Sequence, residues 1–268
     1  MIGMFGDRKM LVQIYEIQEP REAERLIEMG VDRIGSVILS PEKWKVPVLR
    51  DVVRMVRGSG TMSSLIPLMT QEDEILRALD YYEPDYVHFC EWIPIEPAMG
   101  LKREALCAEM VRLQNVVKRE FPPFGIVRSI PVPRPGRADA DRIRENILDI
   151  ARTLEPRTDW FMTDTLRGNG GEGFSEPVTG FVGLTGETCD WNIASALVSA
   201  SRIPVILAGG IAPENVREAI GRVRPAGVDS CTQTNLRDHR GNPIRFRKDF
   251  DRVRRLLEEV REAKEAQG

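Results

Sequence analysis

Apolar and polar positions along this chain follow two rhythms in turn. Short apolar runs, whose side chains switch face at every residue, precede longer charged stretches in which apolar residues return every three or four positions. MLVQIY precedes EPREAERLIEMG, which closes on Gly30 as a helix C-terminus would. DRIGSVIL, MSSLIPLM, DYVHFCEW, GIVRSIPV, DWFMTD, PVILAGG and GVDSCTQT each lead into a helical pattern in the same way. The last helical pattern carries Phe246, Phe250, Val253, Leu257 and Val260 on one stripe. Strictly alternating βα units imply a parallel sheet. About eight units over 268 residues predict a (βα)8 TIM barrel, an α/β fold filling residues 1–268 as one domain. A doubly wound open sheet is the alternative, but EIQEPRE after Tyr15 lacks the glycine fingerprint that such a sheet places behind its first strand.

Composition narrows the function classes. Hydrophobic residues at 42% and charged residues at 29% suit a globular chain with a sizeable core. The net charge of -3 lacks the basic surplus of a nucleic-acid binder. No apolar run approaches the roughly 18 residues of a membrane helix, and MIGMFGDRKM does not read as a secretory signal. Cys90, Cys107, Cys189 and Cys231 are not at metal-ligand spacing, and only His88 and His239 are available beside them, so no metal is expected. Reduced thiols and a cytoplasmic location follow as the default, with a homodimer compatible.

Strand periodicity nominates inward-facing residues. Val12 and Ile14 would face the helices, leaving Gln13 and Tyr15 inside. Tyr86, His88 and Cys90 share the inner face of the fourth strand, and Asp164 shares that of the sixth with Trp160 and Met162. The inner polar set near the strand ends is therefore Tyr15, Cys90, Asp164 and Arg128, where barrel filling is otherwise aliphatic. Plainer readings stand beside this one: Asp164 as a loop cap, Tyr15 as filling, Cys90 as an inert thiol and His88 as a satisfied core histidine.

Three loops behind the last strands could hold an anion on backbone N–H groups: GLTG, LAGG and GVDSCTQTN. They nominate Gly183, Thr185, Gly186, Gly209, Gly210 and Thr232, with Pro213 in the first turn of the helix behind LAGG. A phosphorylated small molecule is the implied ligand.

GLTGETCDW, ILAGGIAPENV and GVDSCTQTN, followed later by Lys248-Asp249, resemble the phosphoribosylanthranilate isomerase family. The family writes the first as Gly-Gly-Thr-Gly, two variable residues, then Phe-Asp-Trp. The N-terminal two-thirds is similar mainly in layout, through Ala23, GVDRIGSVILSP and YVHFC. The resemblance implies a (βα)8 barrel that converts a phosphoribosyl aminoaldose to its aminoketose, in tryptophan biosynthesis, without metal or organic cofactor. An acid protonates the furanose oxygen, and a base removes the C2 proton of the resulting Schiff base. Asp164 in FMTDT matches the family's acid. Tyr15 stands where the family has its catalytic cysteine, Glu42 where it has an arginine that holds the substrate, and Cys90 where it has a histidine. Cys231-Thr232-Gln233 replaces the family's Ser-Ser-Gly phosphate turn.

Three readings follow. The first is an isomerase with Asp164 as acid and Cys90 or Tyr15 as substitute base, a thiolate being favoured by Arg128. The second is an enzyme on the same scaffold with another phosphorylated substrate, and the third a binding protein without turnover. The long loop 167–182 reads as a lid or an insertion.

Overall fold

The computed structural model describes residues 10–167, 178–183 and 185–266. Eight parallel strands pair in sequence order and close on themselves. They are β1 (Leu11–Ile14), β2 (Arg33–Ile38), β3 (Met62–Pro67), β4 (Tyr86–Phe89), β5 (Gly125–Pro133), β6 (Trp160–Leu166), β7 (Val205–Leu207) and β8 (Gly227–Ser230). Closure is made by β1 against β8, with Leu11 beside Gly227 and Ile14 beside Ser230. That pairing rules out the open doubly wound sheet. The helices between the strands are α1 (Pro20–Glu28), α2 (Pro47–Gly58), α3 (Glu72–Tyr82), α4 (Gly100–Glu120), α5 (Ala140–Leu154), α6 (Trp191–Ala200) and α7 (Val216–Val223), and α8 (Phe250–Glu265) follows the last strand.

Local chemistry sets the helix ends. Pro20 and Pro47 open α1 and α2, where a missing N–H costs nothing. Asp190 caps α6 by accepting from the backbone N–H of Asn192 and Ile193, and Asp249 caps α8 in the same way. The aspartate of GLTGETCDW is thus a helix cap and its tryptophan the first helical residue. Two expectations need correction. Pro213 lies in the turn ahead of α7, which begins only at Val216; there Asn215 Oδ1 accepts from the Ala212 N–H at 2.9 Å and shapes the entry. Phe246 is not on the last helical stripe. It belongs to a hairpin that periodicity did not predict, β9 (Asn235–Arg237) with β10 (Pro243–Lys248).

The hairpin is irregular for a countable reason. Pro243 pairs with Arg237 and Lys248 with Asn235, so β10 spends five steps where β9 spends two. The surplus residues bulge out, and within them Phe246 takes a positive φ of 61°. Neighbouring Arg245 is thrown toward the end of β1, where its Nε donates to Glu16 Oε1 at 2.8 Å.

The barrel interior is filled by large polar and aromatic side chains, and glycines on adjacent strands make room for them. Tyr15 lies across Gly35: a Cβ there would sit 2.2 Å from its ring. Tyr86 lies across Gly125 at the same distance. Deeper, Arg33 is fully buried with its guanidinium carbon 3.9 Å from the centre of the Tyr86 ring and 4.9 Å from that of Trp160. Its Nε and Nη2 find no hydrogen-bond acceptor among the described residues, so the two ring faces supply the stabilisation that water would otherwise give.

The Gly35 contact is testable. Gly35→Ala should cost about 2 kcal/mol or more by overpacking. In a Tyr15→Ala background the same change should cost far less, a coupling of at least about 1 kcal/mol. Urea midpoints for the four proteins of the cycle read this directly, and additive effects would contradict the packing described.

Candidate active site at the barrel mouth

Two adjoining spaces open at the C-terminal ends of the strands. One is an apolar chamber walled by Val37, Ile66, Leu68, Met162, Phe181 and Val182, enclosing about 520 Å³ with its open mouth. The other is a polar cradle formed by Thr165, Gly183, Thr185, Gly186, Gly209, Gly210, Thr232 and Gln233. Asp164, Gly183, Asp229 and Cys231 line both. All six cradle residues nominated from the sequence meet here.

The cradle is held by its own hydrogen bonds. Thr165 Oγ1 donates to the Glu187 carbonyl at 2.7 Å, Gln233 Nε2 to the Gly186 carbonyl at 2.9 Å and Asn215 Nδ2 to the Gly210 carbonyl at 2.9 Å. Close approach dictates glycine at two points. A Cβ on Gly209 would meet Thr165 Oγ1 at 2.1 Å, and one on Gly183 would meet Asp164 Oδ1 at 2.6 Å. Both residues also have positive φ. Backbone packed this closely, without side chains in the way, suits an anion.

The inward residues are placed unevenly against expectation. Tyr15, His88, Cys90 and Asp164 all line the chamber. Arg128 does not. In β5 the inner face belongs to Ser129, and Arg128 turns outward: its Nε donates to Gln114 Oε1 of α4 at 3.1 Å, and it pairs with Glu91. Its guanidinium sits 4.8 Å from the Phe89 ring centre. It is therefore a strut between barrel and helix, and the assignment of Arg128 to substrate binding is corrected. The condition set for Cys90 also fails. Burial pushes its thiol well up, Asp164 and Glu91 push it further, and Arg128 offsets only part of this. Burial likewise pushes the Tyr15 phenol well above its ordinary range. Neither group holds the charge a base needs, so their nomination as substitute bases is corrected on electrostatic grounds.

Asp229 is the residue the sequence reading missed. It lies on the inner face of β8, where Gln13 Nε2 donates to its Oδ1 at 3.0 Å. Burial lifts its carboxyl from 3.8 to about 7; the Gln13 bond and the charges of Lys248 and Arg33 limit the rise, and Glu16 adds to it. A carboxylate poised near neutrality is suited to accept and return a proton. Its signal was available: in GVDS, Val228 and Asp229 alternate as Thr163 and Asp164 do in FMTDT. The expected lid, 167–182, falls largely on 168–177, which lies outside the described residues. Among the described residues no cluster of three or more His, Cys, Asp or Glu could hold a metal ion, and no helix is long and apolar enough to cross a membrane.

The architecture is that of a (βα)8 barrel with an apolar chamber and a polar cradle side by side at its mouth. Comparison with known proteins shows what the chain is similar to. Residues 148–232 match the model of N-(5'phosphoribosyl)anthranilate (PRA) isomerase. An N-(5'-phosphoribosyl)anthranilate isomerase of Methanosarcina acetivorans is 25% identical over 259 residues, 94% of each chain. The Pyrococcus furiosus enzyme structure superposes with a TM-score of 0.62 at 21% identity, over 95% of this chain and 100% of that one. A further phosphoribosylanthranilate isomerase structure, 18% identical with a TM-score of 0.58 over 95% and 100% of the two chains, is a complex with reduced 1-(o-carboxyphenylamino)-1-deoxyribulose 5-phosphate. The chain is thus similar to phosphoribosylanthranilate isomerases along most of its length, and residues 148–232 carry the match to the family model.

Asp229 also makes a stability prediction. Its folded carboxyl titrates near 7, above the ordinary 3.8, so the folded state binds the proton more tightly than the unfolded chain. The stability this contributes is complete below about pH 4 and is lost as pH rises through about 7. Asp229→Asn should therefore stabilise the protein at pH 8, by up to about 3 kcal/mol, and not at pH 4. Thermal unfolding of both proteins across that range checks it; a gain independent of pH would refute the assignment.

Proposed function

We propose that this protein is a phosphoribosylanthranilate isomerase, an intramolecular oxidoreductase that converts the aldose N-(5'-phosphoribosyl)anthranilate to its ketose in tryptophan biosynthesis, acting in the cytoplasm. The observation that carries the reading is the shared border: two carboxylates, Asp164 and Asp229, stand where an apolar chamber meets an anion cradle. The substrate has the same division, with an aromatic ring for the chamber, a phosphate for the cradle and the reacting sugar carbons between.

On this reading Asp164 protonates the furanose oxygen while the ring C–O bond breaks and the aryl nitrogen lone pair forms the C1 iminium. Asp229, ionised, removes the C2 proton, and the C–H electron pair moves into the C1–C2 bond and neutralises the nitrogen. The enolamine becomes the ketone by losing its hydroxyl proton and gaining one at C1. Asp164 ends one proton short and Asp229 one proton rich, so a return of that proton closes the cycle. Gly183, Thr185, Gly186, Gly209, Gly210 and Thr232 hold the phosphate. Tyr15 and Cys90 shape the chamber without taking the proton.

Turnover of phosphoribosylanthranilate, followed by its fluorescence, tests this. Asp164→Asn and Asp229→Asn should each lower kcat by about 10²–10⁴-fold. Wild-type protein no faster than Asp164→Asn would end the isomerase reading. Full activity in Asp229→Asn would remove only the assignment of the base.

A further inference from the structure

One line of hydrogen bonds crosses the barrel interior from β3 to β6. Ser64 Oγ lies 2.6 Å from Tyr15 Oη, Tyr15 Oη 2.9 Å from His88 Nδ1, and His88 Nε2 2.8 Å from Ser129 Oγ. Ser129 Oγ donates to Asp164 Oδ2. All five side chains are buried. Each of the four contacts holds one proton, so the direction of donation at one end fixes it at the other.

With Asp164 ionised, one set of donors satisfies the whole line. Ser129 donates to the carboxylate, His88 donates through Nε2–H to Ser129, Tyr15 donates to Nδ1, and Ser64 donates to Tyr15. With a proton on Oδ2 every arrow reverses: Asp164 donates to Ser129, Ser129 to Nε2, Nδ1–H to Tyr15, and Tyr15 to Ser64. One proton has been added, on Asp164. The three hydroxyls keep theirs and turn. The imidazole also keeps one, but on the other nitrogen.

We infer that His88 is a positioning residue whose tautomer is coupled through Ser129 to the proton state of Asp164, so that the carboxyl can be charged or neutral without orphaning a buried donor or acceptor. A histidine that charged easily would break the count. This one stays neutral, pushed down to about 3 by burial and by Arg128 and Arg33. Ionisable groups also stand at both ends of the line. Cys90 and Cys189 interact with Asp164, and Asp229 lines the same chamber; at the far end Tyr15 is faced by Asp229, Arg33 and Cys90. The catalytic meaning of the coupling rests on the isomerase reading, because an acid that must give up and regain a proton each cycle needs both states accommodated. The coupling itself does not rest on that reading.

The test reads the imidazole directly. The chain has two histidines, and His239 is exposed, so His239→Gln leaves His88 as the one ¹⁵N imidazole signal. In that protein His88 should be Nε2–H at high pH and pass to Nδ1–H as the pH falls. A single tautomer at every pH at which the protein is folded overturns the inference. Ser129→Ala should abolish the pH dependence and Ser129→Thr should restore it; an undiminished switch in a folded Ser129→Ala protein also overturns it. Where phosphoribosylanthranilate is turned over, Ser129→Ala should move the alkaline limb of the kcat profile up by about one pH unit, since a hydrogen bond to the carboxylate has been lost. Absence of turnover removes the isomerase reading and leaves the tautomer measurement to stand alone.

Discussion

A closed barrel screens its centre from bulk solvent, and this one is filled with buried polar side chains that must therefore largely satisfy one another. That constraint organises the interior in two tiers. In the lower tier the Arg33 guanidinium is sandwiched by Tyr86 and Trp160, while Gln13 joins it to Asp229. In the upper tier Ser64, Tyr15, His88, Ser129 and Asp164 form one continuous line. An unpaired buried donor costs about 1–3 kcal/mol, and an uncompensated buried charge costs more. Removing one member of either tier therefore reaches beyond its own contacts. The two carboxylates at the mouth, Asp164 and Asp229, are the top ends of these networks.

Tyr15 shows how a change at one position is absorbed. The family resemblance puts a catalytic cysteine there. A phenol is larger and reaches farther, and Gly35 on the neighbouring strand gives it room. Its hydroxyl then lands between Ser64 and His88, where it is bonded on both sides and its ionisation is suppressed by burial. The same geometry that makes Tyr15 a good core residue makes it a poor base. Asp229 faces the same chamber with its carboxyl near 7, and on the proposed isomerase reading it takes the role the phenol cannot.

The fold was legible because it rests on local periodicity. Eight apolar runs and the helices between them follow from alternation that any stretch of the chain displays by itself, and the inward parity of Tyr15, His88, Cys90 and Asp164 follows from the period of a strand. What stayed hidden depends on relations between distant segments. Arg128 and Ser129 are neighbours on opposite faces of β5, and only the Gln114 side chain on α4 reveals what Arg128 is for. The pairing of β9 with β10 needs a bulge, which erases the alternation that would announce it. Asp229 had the right parity, but its proton affinity is raised by burial inside the closed barrel, held back by Gln13, Lys248 and Arg33, and raised a little more by Glu16, groups from β1, β10, β2 and the turn after β1. Proton affinity is a property of the assembled barrel, not of a motif.

Glu16 links the hairpin to the chamber. It is a non-glycine residue with a φ of 68°, in a region that β-carbon sterics disfavour, and its buried carboxylate lines the chamber. Its partner, Arg245, comes from the bulge of β10 and is followed by Phe246, itself at a φ of 61°. Two strained residues thus flank one ion pair, and strain of about 1–3 kcal/mol each persists only where the surroundings over-determine it. The surroundings here are the buried Lys248, whose ammonium donates to the Cys231 carbonyl at 2.9 Å and to Asn235, and its backbone N–H, which donates to Glu22 at 2.8 Å. Those bonds fasten the base of the hairpin to the end of β8 and to α1, so Arg245 is delivered to Glu16 whether or not the local backbone favours it. Lys248 lowers the proton affinity of Asp229 and Glu16 raises it, so the hairpin reaches this carboxyl both through its anchoring ammonium and through the ion pair it completes.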